Sequence, residues 1–398
     1  MTASKNILKQ QVFYWLLAMV AITLPFPGDS LNSQAIILLV VYWLFYNPLR
    51  EKIQLLKENK VLFLLLSIPF WLAVIGLTYS TDFGGAIRGV ELRIPFLVFP
   101  LILSTVKLAF ESTRYALRQL LWATLAATIF AIIKVGYFKI NDLGDYFYYD
   151  KFSEFLEKHT TYFSLIVVTC MLYCLNEFFQ SKRKKYFSLA VYVFFIFVLY
   201  ILSVRISIIA ILIGTVIILL YRLTLKYKII GIVTIVLLAG SIYFTPNFQK
   251  RFEPSTTENL KIDDIEFRRL HWKSVLETIS YNGIFIGNGT RGNRDYLYSK
   301  YEEFGITSAH EEAYNAHNQY LEILMEQGVL GLLPFLLLLF FLTRNAIKSK
   351  DALGISILAV FVLYMLTESI LERQSGIVLF SYLTTLFIMS KVDNLKEG

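Results

Sequence analysis

Residues 186–221 read YFSLAVYVFFIFVLYILSVRISIIAILIGTVIILLY, an apolar run of 36 residues in which Arg205 is the one charged side chain. A single α-helix of that length would extend about 54 Å at 1.5 Å per residue. The hydrocarbon of a bilayer is only about 30 Å thick. The run therefore predicts two crossings, near 186–203 and 205–222, joined by a tight turn between Ser203 and Ser207. The turn puts Arg205 at a membrane face, away from the hydrocarbon centre where an unpaired charge is costly.

Composition extends this reading to the whole chain. Of 398 residues, 56% are hydrophobic, 16% aromatic and 17% charged, which no ordinary soluble domain matches. Apolar stretches of crossing length fall near 12–28, 32–47, 61–79, 92–108, 115–138, 160–179, 186–203, 205–222, 228–245, 319–343, 352–370 and 375–391. The fold class is an all-α polytopic integral membrane protein with about twelve transmembrane helices. The first run ends in Leu24-Pro25-Phe26-Pro27-Gly28, not at a small-residue cleavage site, so it is read as a retained helix. Cys170 and Cys174, one turn apart in an apolar run, read as packing residues.

Charge sets the orientation. Basic clusters at Arg50–Lys60, Lys182–Lys185, Arg222–Lys228 and Arg344–Lys350 occupy alternate loops, while loops such as Pro25–Ser33 hold no Lys or Arg. By the positive-inside rule both termini are cytoplasmic. The net charge of +8 belongs to those loops, and no nucleic acid partner is implied. The chain divides into 1–245 (nine helices, with a small acidic and aromatic outer loop at about 139–159), a large outer loop at 246–318, and 319–398 with the last three helices and a cytoplasmic C-terminus.

No phosphate-binding G-x-x-x-x-G-K-[ST] and no His/Cys cluster with zinc spacing occurs, so neither an ATP-driven pump nor a metal site is expected. Asp263-Asp264 reads as a solvated acidic turn. Arginine on the outer face runs against the topology bias: Arg88 and Arg93 at the fourth helix, Arg205 at the turn, Arg268 and Arg269 in the large loop. Guanidinium groups bind phosphate oxygens in pairs and stay charged, so such a set suits a diphosphate leaving group. The plainer alternative is lipid headgroup contact for Arg205 and ion pairs with Glu253, Glu258 or Glu266 for the rest. His317 opens the tenth apolar run, where Asn315 or Asn318 can cap a helix. A helix N-terminus favours the neutral imidazole that a general base needs. Glu322 and Glu326 follow one turn apart, placed to orient the ring or to pair with arginine; His159, His271 and His310 are weaker candidates of the same kind.

Together these residues resemble the O-antigen ligase and polymerase superfamily. The likeness is carried by His317-Asn318-Gln319-Tyr320-Leu321 with Glu326-Gln327-Gly328-Val329-Leu330-Gly331, by Arg268 with Trp272, by Gly287-Asn288-Gly289 and by Ser203-Val204-Arg205. His159-Thr160-Thr161-Tyr162 and Glu368-Ser369-Ile370-Leu371-Glu372-Arg373 resemble recurring elements of the same family. The resemblance implies a metal-independent, cofactor-free glycosyltransferase of the GT-C type in a bacterial inner membrane, with a periplasmic active site. Its donor would be an undecaprenyl-diphosphate-linked glycan and its acceptor a sugar hydroxyl, commonly of the lipid A core. By position, His317 would be the base, with Arg205 and Arg268 on the diphosphate. Arg269, Arg88, Arg93, Glu326, His159 and Tyr162 would be further substrate-binding residues. The doubled Arg268-Arg269 leaves open which one takes the family role. O-antigen or exopolysaccharide polymerases and protein O-oligosaccharyltransferases share this donor. A flippase of lipid-linked sugars would instead carry charges along many helices.

Overall fold

The computed structural model describes residues 2–226, 228 and 265–397, apart from 110, 145, 148, 182 and 184. All but the first residue of the expected span at 228–245, with Glu253, Glu258, Asp263 and Asp264, lie outside the described residues. Every described element is a helix: α1 Thr2–Thr23, α2 Asp29–Tyr46, α3 Leu49–Glu58, α4 Lys60–Leu66, α5 Ile68–Leu77, α6 Phe83–Leu92, α7 Pro95–Ser104, α8 Ser112–Ile140, α9 Asp150–Glu154, α10 Thr160–Gln180, α11 Lys185–Leu202 and α12 Arg205–Arg222. After the undescribed segment come α13 Ile265–Asn282, α14 Arg294–Glu303, α15 Thr307–Glu311, α16 Gln319–Lys348, α17 Ala352–Met365, a 3-10 turn Ile370–Glu372, and α18 Gln374–Glu397.

The long run at 186–221 is two helices, broken where Ser203 takes a left-handed φ of 50°. Elsewhere the segments are less regular than twelve uniform spans. Six described helices are long and apolar enough to cross a membrane, and a seventh is obtained if α4 and α5, bent by 60° at Ser67, form one span. In place of a full span at 92–108 stands the ten-residue α7, about 15 Å long. The expected span 352–370 stops at Met365, which releases 366–373 as a segment with no helix beyond the 3-10 turn Ile370–Glu372.

Helix α10 is the hub. It is 78% buried over its apolar window, against 22–50% for the other candidate spans, and it packs on α11, α12 and α17. Its first residues set up one end of the bundle. There Ser164 hydrogen-bonds Tyr364 at 2.9 Å, the Tyr162 hydroxyl donates to Ser369 O at 3.0 Å, and Tyr149 N donates to Ile201 O at 3.0 Å beside the Ser203 turn. The start of α16 joins the same end, since Asn318 Nδ2 donates to Leu366 O at 3.1 Å. A small separate core of Phe267, Val275, Ile279, Leu297, Tyr301 and Ile306 lets α13 and α14 form a lobe over this end.

Candidate active site

The lobe is fastened to the membrane helices at a break in α16. Gly328 has φ +61°, which L-residues rarely adopt, and the break frees the backbone groups on either side of it. The loop after α13 takes them up: Asn288 N donates to Met325 O and Gly289 N to Glu326 O, while Val329 N and Leu330 N donate to Ile284 O and Phe285 O. A Cβ on Gly328 would lie 2.3 Å from Phe285 O, and one on Gly287 2.7 Å from Glu326 O. The Gly287-Asn288-Gly289 and Gln327-Gly328 motifs are thus two halves of one joint. Thr290 extends it to α5 through its hydroxyl, 2.8 Å from Ala73 O.

Beside the joint lies a closed charge cluster. Arg93 bonds Glu326 at 3.0 Å and also Glu372; Arg294 bonds Glu322, and Glu326 at 3.2 Å. Arg291 N donates to Glu326 at 2.9 Å, with its guanidinium 3.8 Å from Glu372. Glu322 and Glu326 are each 0% exposed, and charges so placed are held only by pairing and hydrogen bonds. Burial would lower the Arg294 pKa, but Glu322 and Glu326 raise it further above the ordinary value. Oxygens of Glu322, Glu326 and Glu372 lie within 4.8 Å of one another, the candidate metal-holding group among the described residues. Guanidiniums already occupy that acidic corner.

The second constellation is more open. His317 has φ 41° and is held there by Asn315 Oδ1, which accepts from His317 N at 2.9 Å. Asn318 caps α16, its side chain accepting from Tyr320 N and Leu321 N. His317 Nδ1 lies 3.1 Å from a Glu368 oxygen. Its Nε2 is buried without a hydrogen-bond partner among the described residues. Rings of Tyr314 and His271 stand 5.0 and 5.5 Å away. His271 is 2% exposed and bonds the Tyr301 hydroxyl at 2.9 Å; burial, with His317 beside it, lowers its pKa to about 3. Burial alone would raise the Glu368 carboxyl, but His317 first, then His159 and Arg373, hold it below the ordinary glutamate value.

The residues singled out in the sequence divide between these two places. His317 and His159 come together, since both act electrostatically on Glu368; His159 is exposed and precedes α10. Arg268 is half-buried on the face of α13 that influences His271, whereas Arg269 is exposed and paired with Glu266 at 2.6 Å. That pair is the plainer of the two roles weighed for Arg269. Arg205 opens α12 at the Ser203 turn, and Arg88 is exposed on α6. Arg93 and Glu326 are both in the closed cluster, where their charges answer one another and leave no face open to a ligand. Tyr162 is also enclosed, 2% exposed with its hydroxyl used by Ser369. Of the two roles weighed for Glu322 and Glu326, pairing with arginine is the one adopted; the ring is faced by Glu368 instead. Five residues had no role assigned from sequence: Arg291, Arg294, Glu368, Glu372 and Arg373. Arg373 is exposed and stands 5.8 Å from the Tyr162 ring. The available signal was the charge-dense Glu368–Arg373 stretch following an apolar helix, and two arginines just after Gly289.

Residues 190–336 match the family model described as O-Antigen ligase. This stretch, well under half of the chain, is similar to O-antigen ligases. It runs from within α11, through the Arg205 turn and the lobe, to just past the Gly328 break. Arg205, Arg268, Arg291, Arg294, His317 and Glu326 lie inside it, while His159, Glu368 and Arg373 are supplied from outside. No curated protein matches the chain. The several apolar helices describe a multi-pass membrane protein, and its matched segment is similar to O-antigen ligases.

Proposed function

We propose that this protein transfers a glycan from undecaprenyl diphosphate to an acceptor sugar hydroxyl, most simply one of the lipid A core, at the periplasmic face of the bacterial inner membrane. The observation that carries the reading is the His317 ring, faced at Nδ1 by the Glu368 carboxylate, on which the exposed Arg373 also acts, and without a hydrogen-bond partner at Nε2 among the described residues. In the proposed step the acceptor hydroxyl gives its proton to Nε2 as its oxygen bonds the anomeric carbon. The bond from that carbon to the diphosphate oxygen breaks, and the diphosphate leaves with the electron pair. Arg373, Arg268 and Arg205 balance the charge that builds on it, a task guanidinium groups perform without proton exchange. Glu322, Glu326 and Glu372 are already matched by Arg93, Arg291 and Arg294, which supports chemistry without a metal.

Purified protein in nanodiscs, given a labelled undecaprenyl-diphosphate glycan with chelator present, tests the reading. Product on a lipid A core acceptor supports a ligase. Product only on a second lipid-linked glycan, or only on a Ser or Thr peptide, would replace the acceptor assignment while keeping the donor. Loss of all transfer on chelation would remove the metal-independent step.

A further inference from the structure

We propose that Glu368 is a positioning residue for this transfer: its carboxylate accepts the Nδ1 proton of His317 and so presents the Nε2 lone pair as the proton acceptor. The inference rests on the functional reading above and goes beyond it by naming what prepares the base. A neutral imidazole has one N–H and one lone pair, and an ionised carboxylate can only accept. A carboxylate oxygen 3.1 Å from Nδ1 therefore puts the proton on that nitrogen, leaving Nε2 able to take one.

The contact is built into the backbone as well as into the two side chains. The segment carrying Glu368 and the segment carrying His317 are tied by two bonds, Asn318 N to Ser369 Oγ at 3.2 Å and Asn318 Nδ2 to Leu366 O at 3.1 Å. A third bond, from the Tyr162 hydroxyl to Ser369 O, anchors the same segment to α10. The Glu368 side chain is 8% exposed, so water competes little for its oxygens. The other groups acting at this place are His159 and Arg373 on the carboxylate side, and Tyr314 and His271 on the ring side. None of them is set against Nδ1. After proton transfer the same carboxylate faces an imidazolium, so it also stabilises the charge created in the step.

The test uses the full chain in nanodiscs with 15N-labelled histidine, the His317 signals being assigned by their loss in His317→Ala. In the wild type, Nδ1 of the neutral ring should carry the proton. In Glu368→Ala the proton should move substantially to Nε2. In parallel, kcat should fall about 100-fold, within the range for loss of a general base, while KM for the donor stays within about twofold. Glu368→Gln keeps the side-chain volume and should retain the melting temperature while still losing about tenfold in kcat, the difference between a charged and a neutral acceptor. Turnover within about threefold of wild type in either variant, or an unmoved tautomer in Glu368→Ala, overturns the proposal. If the wild type itself transfers nothing to any acceptor, the functional reading fails on its own, and the tautomer measurement still decides whether Glu368 governs the ring.

Discussion

Two groups of charges sit near the start of α16, and they differ in what their charges are free to do. In the closed cluster, Arg93 and Arg294 are spent on Glu322, Glu326 and Glu372, and all three carboxylates are buried. Around His317, one carboxylate faces the ring, the exposed Arg373 acts on that carboxylate, and a buried ring nitrogen has no hydrogen-bond partner among the described residues. Arginine at this end of the bundle thus has two meanings. Where buried carboxylates match it, it fastens the lobe to the bundle; where it is exposed, as at Arg373, the proposed role is to meet an anionic substrate.

The sharpest way to break this contrast is to remove the ring. His317→Ala should lower glycan transfer by about 10²–10⁴-fold with expression and membrane insertion unchanged, measured by product formation and by size-exclusion of the detergent-solubilised protein. Loss of folding with loss of activity would move His317 into the structural class. Arg93→Ala should do the reverse. Unpaired Glu326 and Glu372 would be left buried at a cost of about 3–5 kcal/mol, seen as a lower melting temperature and poor recovery from membranes. A variant of normal stability would show the cluster to be looser than its burial indicates. Arg205→Lys keeps charge and loses the two-pronged donor, so activity should fall about tenfold or more, in line with about 1.5–3 kcal/mol for a charge-assisted bond; near-normal turnover would favour headgroup anchoring.

The joint between the regions is open to a finer test. Gly328→Ala places a methyl 2.3 Å from Phe285 O at φ +61°, and about 1–3 kcal/mol of strain should appear as faster proteolysis of the lobe, with α10–α12 unaffected. Finally, His271 titrates near 3 when folded against 6.5 when free. Below pH 6.5 the unfolded lobe binds a proton that the folded lobe refuses. Stability is therefore complete above pH 6.5 and declines toward pH 3, by about 1.4 kcal/mol per pH unit at most. Hydrogen exchange in α13 and α14 at pH 7 and pH 5 should show the change, and His271→Phe should flatten it.

Much of this molecule was legible in one dimension. Membrane class, the split at Ser203-Val204-Arg205 and a cap before α16 all follow from local quantities: apolar length, the position of one charge, and a side chain beside the amides it accepts from. A resemblance of short motifs also pointed to the ligase superfamily, and the matched segment carries it. The shortness of α7, the bend at Ser67 and the early end of α17 were not legible, because apolar length bounds a span without saying where the helix will break. The partner of His317 was harder still. Glu322 and Glu326 were the nearer carboxylates in sequence, yet the guanidiniums of Arg93 and Arg294, from distant segments, claimed them. Glu368 reached the ring only because α17 stops at Met365 and its following segment folds back onto Asn318. Sequence determined which residues carry charge and which stretches prefer lipid. Only the tertiary structure decided which charges cancel, since pairing depends on distances of a few ångströms that the chain sets across more than two hundred residues, as from Arg93 to Glu326.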